Sequence, residues 1–156
     1  MLVSSGQTEY APVIAELYRN CFNDQWSASE IRQILALPTT IAWVTEKGFL
    51  ICSRVLDEME IISIGILPAY RRMHLASNLL SDLMDYAGRQ KIKKIFLEVS
   101  TLNIPAQSLY SRFGFTQTGI RKNYYKTESG PVDALCLTKV ISGQEQANQK
   151  AGGNCA

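Results

Sequence analysis

The stretch "IISIGILPAYRRMHLASNLL", residues 61–80, decides the fold. Its first seven residues are apolar or small and β-branched, the composition of a strand buried on both faces. Pro68 breaks that run. Two arginines, Arg71 and Arg72, then stand before a segment with helical period: Ala76, Leu79, Leu80, Leu83, Met84 and Ala87 fall on one face. A strand that passes through a short loop into a helix aims backbone N–H groups and the positive helix end at one point, where an anion can sit. Phosphate-cradling loops are usually glycine-rich, yet this one carries Met73 and His74.

Outward from this unit the period changes twice. Upstream, "TEYAPVIAELYRNCF" places Val13, Ile14, Leu17, Tyr18 and Cys21 at helical spacing. "SASEIRQILAL" opens on a capping box, Ser27 with Glu30, and stops at Pro38. Between that helix and the central unit, "TTIAWVTE", "GFLICSRVL" and "EIISIGIL" read as three antiparallel strands. Downstream, Gly88 marks the expected end of the central helix. "KKIFLEVS" is a further strand, parallel to the previous one because a helix connects them. Asn103 caps a helix, "IPAQSLYSRF", that Gly114 ends. "FTQTGIRKNYY" and "VDALCLTKV" form a hairpin around "ESGP". The architecture is α+β, with flanking helices on a mixed, mostly antiparallel sheet of six to seven strands splayed at its centre. One domain is expected over residues 1–141, and the polar, aperiodic segment 142–156 is expected to be disordered.

Bulk properties narrow the function classes. A formal charge of +2 gives no support to nucleic-acid binding, which would need a clustered basic face. No window reaches the ~18 apolar residues of a membrane span, and the first ten residues lack a signal-peptide pattern, so the expected location is cytoplasmic. Cys21, Cys52, Cys136 and Cys155 are scattered and His74 is the single histidine, which leaves no metal-ligand spacing. Free thiols are the expectation.

Three motifs in order resemble the GCN5-related N-acetyltransferase (GNAT) superfamily: "IISIGILPAYRRMHLASNLL", "LEVSTLNIPAQSLYSRFGF" and "RKNYY". More narrowly, with "QWS" at 25–27, they resemble its branch that acetylates N-terminal alanines of ribosomal proteins. The resemblance implies a GNAT fold, acetyl-CoA as co-substrate, and direct transfer to a protein N-terminus, that of a small-subunit ribosomal protein. The implied enzyme works as a monomer or weak homodimer. It implies that the loop of Arg71, Arg72, Met73, His74, Leu75 and Ala76 binds pyrophosphate. Ile64, Gly65 and Ile66 would pair with the pantetheine arm, between "SIGIL" and "LEVS", and Asn103 would contact that arm. The family's loop glycine is His74 here. Glycine serves where backbone must approach a ligand or take unusual φ, so the departure bears on close packing and removes no N–H donor.

Glu98, in "LEV", falls on the family's general base and Tyr110 on its general acid. Their structural alternatives are a solvent-facing strand residue and a core tyrosine. Glu60 is the rival base. Trp26, Arg121, Tyr124 and Tyr125 would line the acceptor groove, or else pack at a sheet edge. Asp133 could meet a cationic substrate or stand exposed on its strand. Two other functions stay open: the same chemistry on a lysine or small-molecule amine, and an acyl-CoA-binding regulatory module without catalysis.

Overall fold

A computed structural model describes residues 1–23 and 26–141. Its helices are α1 (Ala11–Cys21), α2 (Ala28–Ala36), α3 (Leu75–Arg89) and α4 (Ile104–Arg112). Its strands are β1 (Leu2–Val3), β2 (Thr40–Val44), β3 (Gly48–Val55), β4 (Glu58–Ile66), β5 (Lys94–Ser100), β6 (Thr116–Thr127) and β7 (Gly130–Val140). The strand order is β1-β2-β3-β4-β5-β7-β6. The expected tail, 142–156, lies outside the described residues, as does Gln25.

The chain divides into two compact units. The first comprises Met1–Leu56 and Glu60–Leu83. Its core joins Ile14, Leu17 and Tyr18 of α1, Ile31 and Leu35 of α2, and Ala42, Val44, Phe49 and Ile51 of the sheet. The capping box forms as the sequence requires. Ser27 Oγ accepts from the Glu30 N–H at 3.2 Å, and Glu30 Oε2 accepts from the Ser27 N–H at 2.7 Å. Strand β1 carries no signal in the sequence. Two residues are too few to show a period, and Leu2 and Val3 gain their register from Trp43 and Ala42 of β2.

Two expectations about the central unit need correction. Strand β4 is not buried on both faces. Met59 and Ile61 are buried, whereas Ile62 is 40% exposed and Glu60 and Ile64 are half-buried. An apolar run predicts burial only if both faces are covered, and here the face of Glu60, Ile62 and Ile64 is open. Helix α3 does not stop at Gly88 either. It continues to Arg89, and Lys91, at φ +55°, takes the left-handed closing position. Ile92 N–H reaches the Ala87 carbonyl at 2.9 Å and Lys91 N–H the Gly88 carbonyl at 3.3 Å, the two bonds of a Schellman close. Buried Ile92 anchors the turn, so packing overrides the glycine signal.

The second unit comprises Asp57–Met59 and the chain from Met84 onward. In β5, Ile95, Leu97 and Val99 are buried while Phe96, Glu98 and Ser100 are half-buried, a period of two. Helix α4 starts on Asn103, whose Oδ1 accepts from the Ala106 N–H at 3.2 Å. It closes on Gly114 at φ +85°, with the Phe115 N–H on the Tyr110 carbonyl at 3.1 Å. Strand β7 pairs antiparallel with both β5 and β6.

Candidate active site

In the first unit, β4 ends at Ile66 and a single 3₁₀ turn, Pro68–Tyr70, leads into the Arg71–Ala76 loop. Arg71 does not extend into the loop's mouth. Its Nε donates to the Ile66 carbonyl at 3.0 Å and its guanidinium to the Cys21 carbonyl at 3.2 Å, so the side chain ties the end of α1 to the end of β4. Lys47 braces the same region from the β2–β3 turn. Its carbonyl accepts from the Leu67 N–H at 2.9 Å, and its ammonium lies 4.7 Å from the Tyr70 ring centroid.

Arg72 and His74 both take left-handed backbone, at φ +63° and +60°. The position where the GNAT pattern has glycine therefore needs positive φ, a conformation that histidine tolerates better than most side chains. His74 is exposed, and its carbonyl accepts the first helical bond, from the Asn78 N–H at 3.0 Å. The N–H groups of Leu75, Ala76 and Ser77 lie ahead of that bond and have no acceptor within the helix. Together with exposed Arg72 they suit an anion such as a pyrophosphate.

Close backbone approach occurs at Gly48 and Gly65. A Cβ on Gly65 would stand 2.8 Å from Phe49 Cε1 and 3.1 Å from Cys21 Sγ. Burial pushes the Cys21 thiol pKa up, against the pull of Arg71. Trp26 stacks on Tyr18, with centroids 4.9 Å apart and planes 9° apart.

The second unit gathers the other residues around Glu98. Glu98, on β5, is paired with Cys136 of β7, and Cys136 is paired in turn with Gly119 of β6. Two rungs along, Ser100 pairs with Ala134 and Ala134 with Arg121. Paired residues and alternate residues share a face, so Glu98 and Arg121 look the same way from strands that β7 separates. The guanidinium spans that gap, and Arg121 Nε meets Glu98 Oε1 at 2.8 Å. Gly119 and Ala134, the small residues on these rungs, leave the path clear. The Glu98 side chain is 18% exposed, which makes this a sheltered, charge-assisted bond.

Beyond Arg121 the β6–β7 register breaks. Arg121 pairs with Ala134 and Tyr125 with Val132, so Lys122, Asn123 and Tyr124 bulge against Asp133 alone. The Arg121 guanidinium lies 5.3 Å from the Tyr124 ring centroid, and Tyr124 meets Tyr125 edge-on at 5.0 Å. Burial foremost, then neighbouring Tyr124, Glu98 and Cys136, pushes the Tyr125 phenol up to about 12. Tyr125 is therefore a neutral donor or acceptor at physiological pH. Tyr110, on α4, is buried and packs edge-on against Phe115 at 5.6 Å.

The structure thus brings together Glu98, Arg121, Tyr124 and Tyr125. Trp26 and Arg71 instead make packing and bracing contacts in the first unit. Asp133 is neither an open cation site nor an idle strand residue. Its Oδ1 accepts from the Asn123 N–H at 2.8 Å and its Oδ2 meets Lys122 Nζ at 3.1 Å. An asparagine inside "RKNYY" was a turn signal that could have revealed the bulge. Among the described residues no His/Cys/Asp/Glu cluster could hold a metal ion, and no helix is long and apolar enough to cross a membrane.

The family model for the acetyltransferase (GNAT) family matches residues 11–115. The chain belongs to the acetyltransferase (GNAT) family. It is 37% identical over 95 residues to the ribosomal protein bS18-alanine N-acetyltransferase of Escherichia coli strain K12, a match that covers 61% of this chain and 64% of that protein. A relative in Bacillus subtilis strain 168, named a putative enzyme of the same kind, is 32% identical over 135 residues, 83% of this chain and 88% of its own. The crystal structure of the ribosomal-protein-S18-alanine N-acetyltransferase from Escherichia coli superposes with a TM-score of 0.80 at 28% identity, over 90% of this chain and 94% of that one.

Proposed function

We propose that this chain transfers the acetyl group of acetyl-CoA to the N-terminal α-amine of a protein. The acceptor its relatives' names point to is the N-terminal alanine of a small-subunit ribosomal protein. Such an acceptor would be met in the cytoplasm. Acetyl-CoA would supply an activated thioester carbonyl. The Arg71–Ala76 loop would hold its pyrophosphate through the N–H groups of Leu75 and Ala76, with Arg72 and Met73 at the rim and His74 giving the turn its left-handed φ. Ile64, Gly65 and Ile66 would offer backbone partners to the pantetheine amides. The open face of β4 at Ile62 and Ile64 fits an apolar ligand better than water.

A protein α-amine has pKa ~7.7–8.0, so it is mostly protonated at neutral pH. Glu98 would remove one proton, directly or through water, as the amine nitrogen attacks the carbonyl carbon. Tyr110 would give a proton to the sulfur as the C–S bond breaks. Arg121, Tyr124 and Tyr125 would line the acceptor's approach. The observation that carries this reading is the sheltered Glu98 carboxylate, set beside Arg121 and Tyr125 between buried Leu97 and Val99.

Mass spectrometry after incubation with acetyl-CoA and a panel of peptides tests it. Acetyl on the α-amine, with preference for alanine, is expected. Product on ε-amines alone, or binding of CoA with no product, would overturn it in favour of a lysine or small-molecule acceptor or of a regulatory module.

A further inference from the structure

The bulge in β6 is built, and one residue of β7 builds it. Asn123 holds left-handed backbone at φ +54°, and the Asp133 carboxylate accepts both its N–H and the Lys122 ammonium. The Asp133 carbonyl also accepts from the Thr101 N–H at 3.0 Å, so the same residue ties the bulge to the exit of β5, three residues from Glu98. Parity shows what the bulge does. In a regular strand, residues three apart point to opposite faces. Arg121 and Tyr124 are three apart, yet the guanidinium lies over the Tyr124 ring. Adjacent Tyr124 and Tyr125 should likewise diverge, yet their rings touch. The bulge turns the Tyr124 ring under the arm that reaches across β7 to Glu98.

We propose that Asp133 is a positioning residue for acetyl transfer, holding the bulge that aims Arg121, Tyr124 and Tyr125 at Glu98. This rests on Glu98 being the base. Asp133 touches neither the base nor, in this reading, the acceptor. It acts through Asn123, Arg121 and the tyrosines.

The test uses the full chain and four readouts: kcat/KM for the acceptor peptide, calorimetric acetyl-CoA affinity, melting temperature, and hydrogen exchange of the Asn123 amide. Asp133→Ala should lower kcat/KM for the peptide by about tenfold, the worth of one charge-assisted hydrogen bond. Acetyl-CoA affinity should hold, and the Asn123 amide should exchange faster. Asp133→Asn keeps an acceptor for the Asn123 N–H and should stay near wild type, even if the alanine variant folds poorly. Asn123→Gly in the Asp133→Ala background should restore most of the loss, because glycine takes positive φ without support. In a Glu98→Gln background, Asp133→Ala should cost clearly less than it does in wild type. Full turnover by Asp133→Ala with a fast-exchanging Asn123 amide would overturn the proposal, as would an equal loss in the asparagine variant or no rescue by glycine. Full turnover by Glu98→Gln alone would instead remove the base assignment.

Discussion

Arg121 Nε donates to Glu98 Oε1 across 2.8 Å, from a strand that is not the neighbour of Glu98's own. Such a reach needs a long side chain, small residues beneath it and an anchor at its far end. Ala134, Gly119 and the Tyr124 ring supply the last two. The expected consequence is that Glu98→Gln lowers turnover by ~10²–10⁴-fold, the usual worth of a general base. Arg121→Ala should lower it less, by about tenfold, through loss of one charge-assisted bond that orients the carboxylate. Tyr110→Phe should reduce kcat with acetyl-CoA affinity intact, because a leaving-group acid acts only in the transition state. Steady-state kinetics with isothermal titration of acetyl-CoA checks all three. Unchanged turnover in Glu98→Gln would pass the role to Glu60.

His74 gives a second test, and the backbone fixes its sign. Replacing a helix residue by glycine costs stability. His74, however, precedes α3 and sits at φ +60°, where a side chain costs ~1–2 kcal/mol and glycine nothing steric. Part of that gain is lost to the freedom of glycine in the unfolded chain. His74→Gly should leave the melting temperature unchanged or raise it by about 2–4 °C. Acetyl-CoA should bind the variant as tightly or more tightly, since the backbone donors remain. A lower melting temperature, or weaker binding, would show that the imidazole is itself a partner.

The contrast between these two sites explains what could be read from the chain. The strand–loop–helix at 61–80 shows in composition because each residue reports its own local state. The capping box at Ser27 and the left-handed close at Gly114 are equally local. The Glu98–Arg121 pair is not, because it depends on β7 lying between β5 and β6 and on a bulge three residues wide. Asp133 is ambiguous in sequence for the same reason: its partners are ten and eleven positions away and are set by register. Strand β1 and the open face of β4 are not legible in the sequence because both are defined by neighbours rather than by their own residues.

Gly48 offers a test of close packing in the first unit. A Cβ there would lie 2.5 Å from the Gly65 carbonyl oxygen and 2.5 Å from Ile66 Cδ1. The isoleucine tip can move, but the carbonyl belongs to backbone. Gly48→Ala should destabilise the protein by about 1–3 kcal/mol, as overpacking does. It should also weaken acetyl-CoA binding, because it displaces the backbone of Gly65, one of the proposed pantetheine partners. Gly88→Ala is the control, since a Cβ there meets nothing within 4 Å. Urea denaturation of both variants reads the difference, and equal midpoints would contradict the packing described.

Two carboxylates make stability depend on pH in the acid range. The Ser27 N–H, then its hydroxyl, hold Glu30 below the usual carboxylate range. The Asn123 N–H, then the Lys122 ammonium, do the same for Asp133. A group whose folded pKa is depressed contributes stability above its unfolded pKa and loses it as pH falls through the folded value. The ordinary values are ~4.3 for glutamate and ~3.9 for aspartate. Glu30→Ala and Asp133→Ala should therefore be less stable than wild type at neutral pH by a constant margin down to about pH 5. Below that the margin should shrink, and it should nearly vanish once wild type has bound the same protons. Other acidic groups titrate in all three proteins and cancel in the difference. Urea midpoints measured at about pH 7, 4 and 3 give the margin directly. A gap that stays constant into acid would mean that packing, rather than the charged hydrogen bonds, carries the contribution of these side chains.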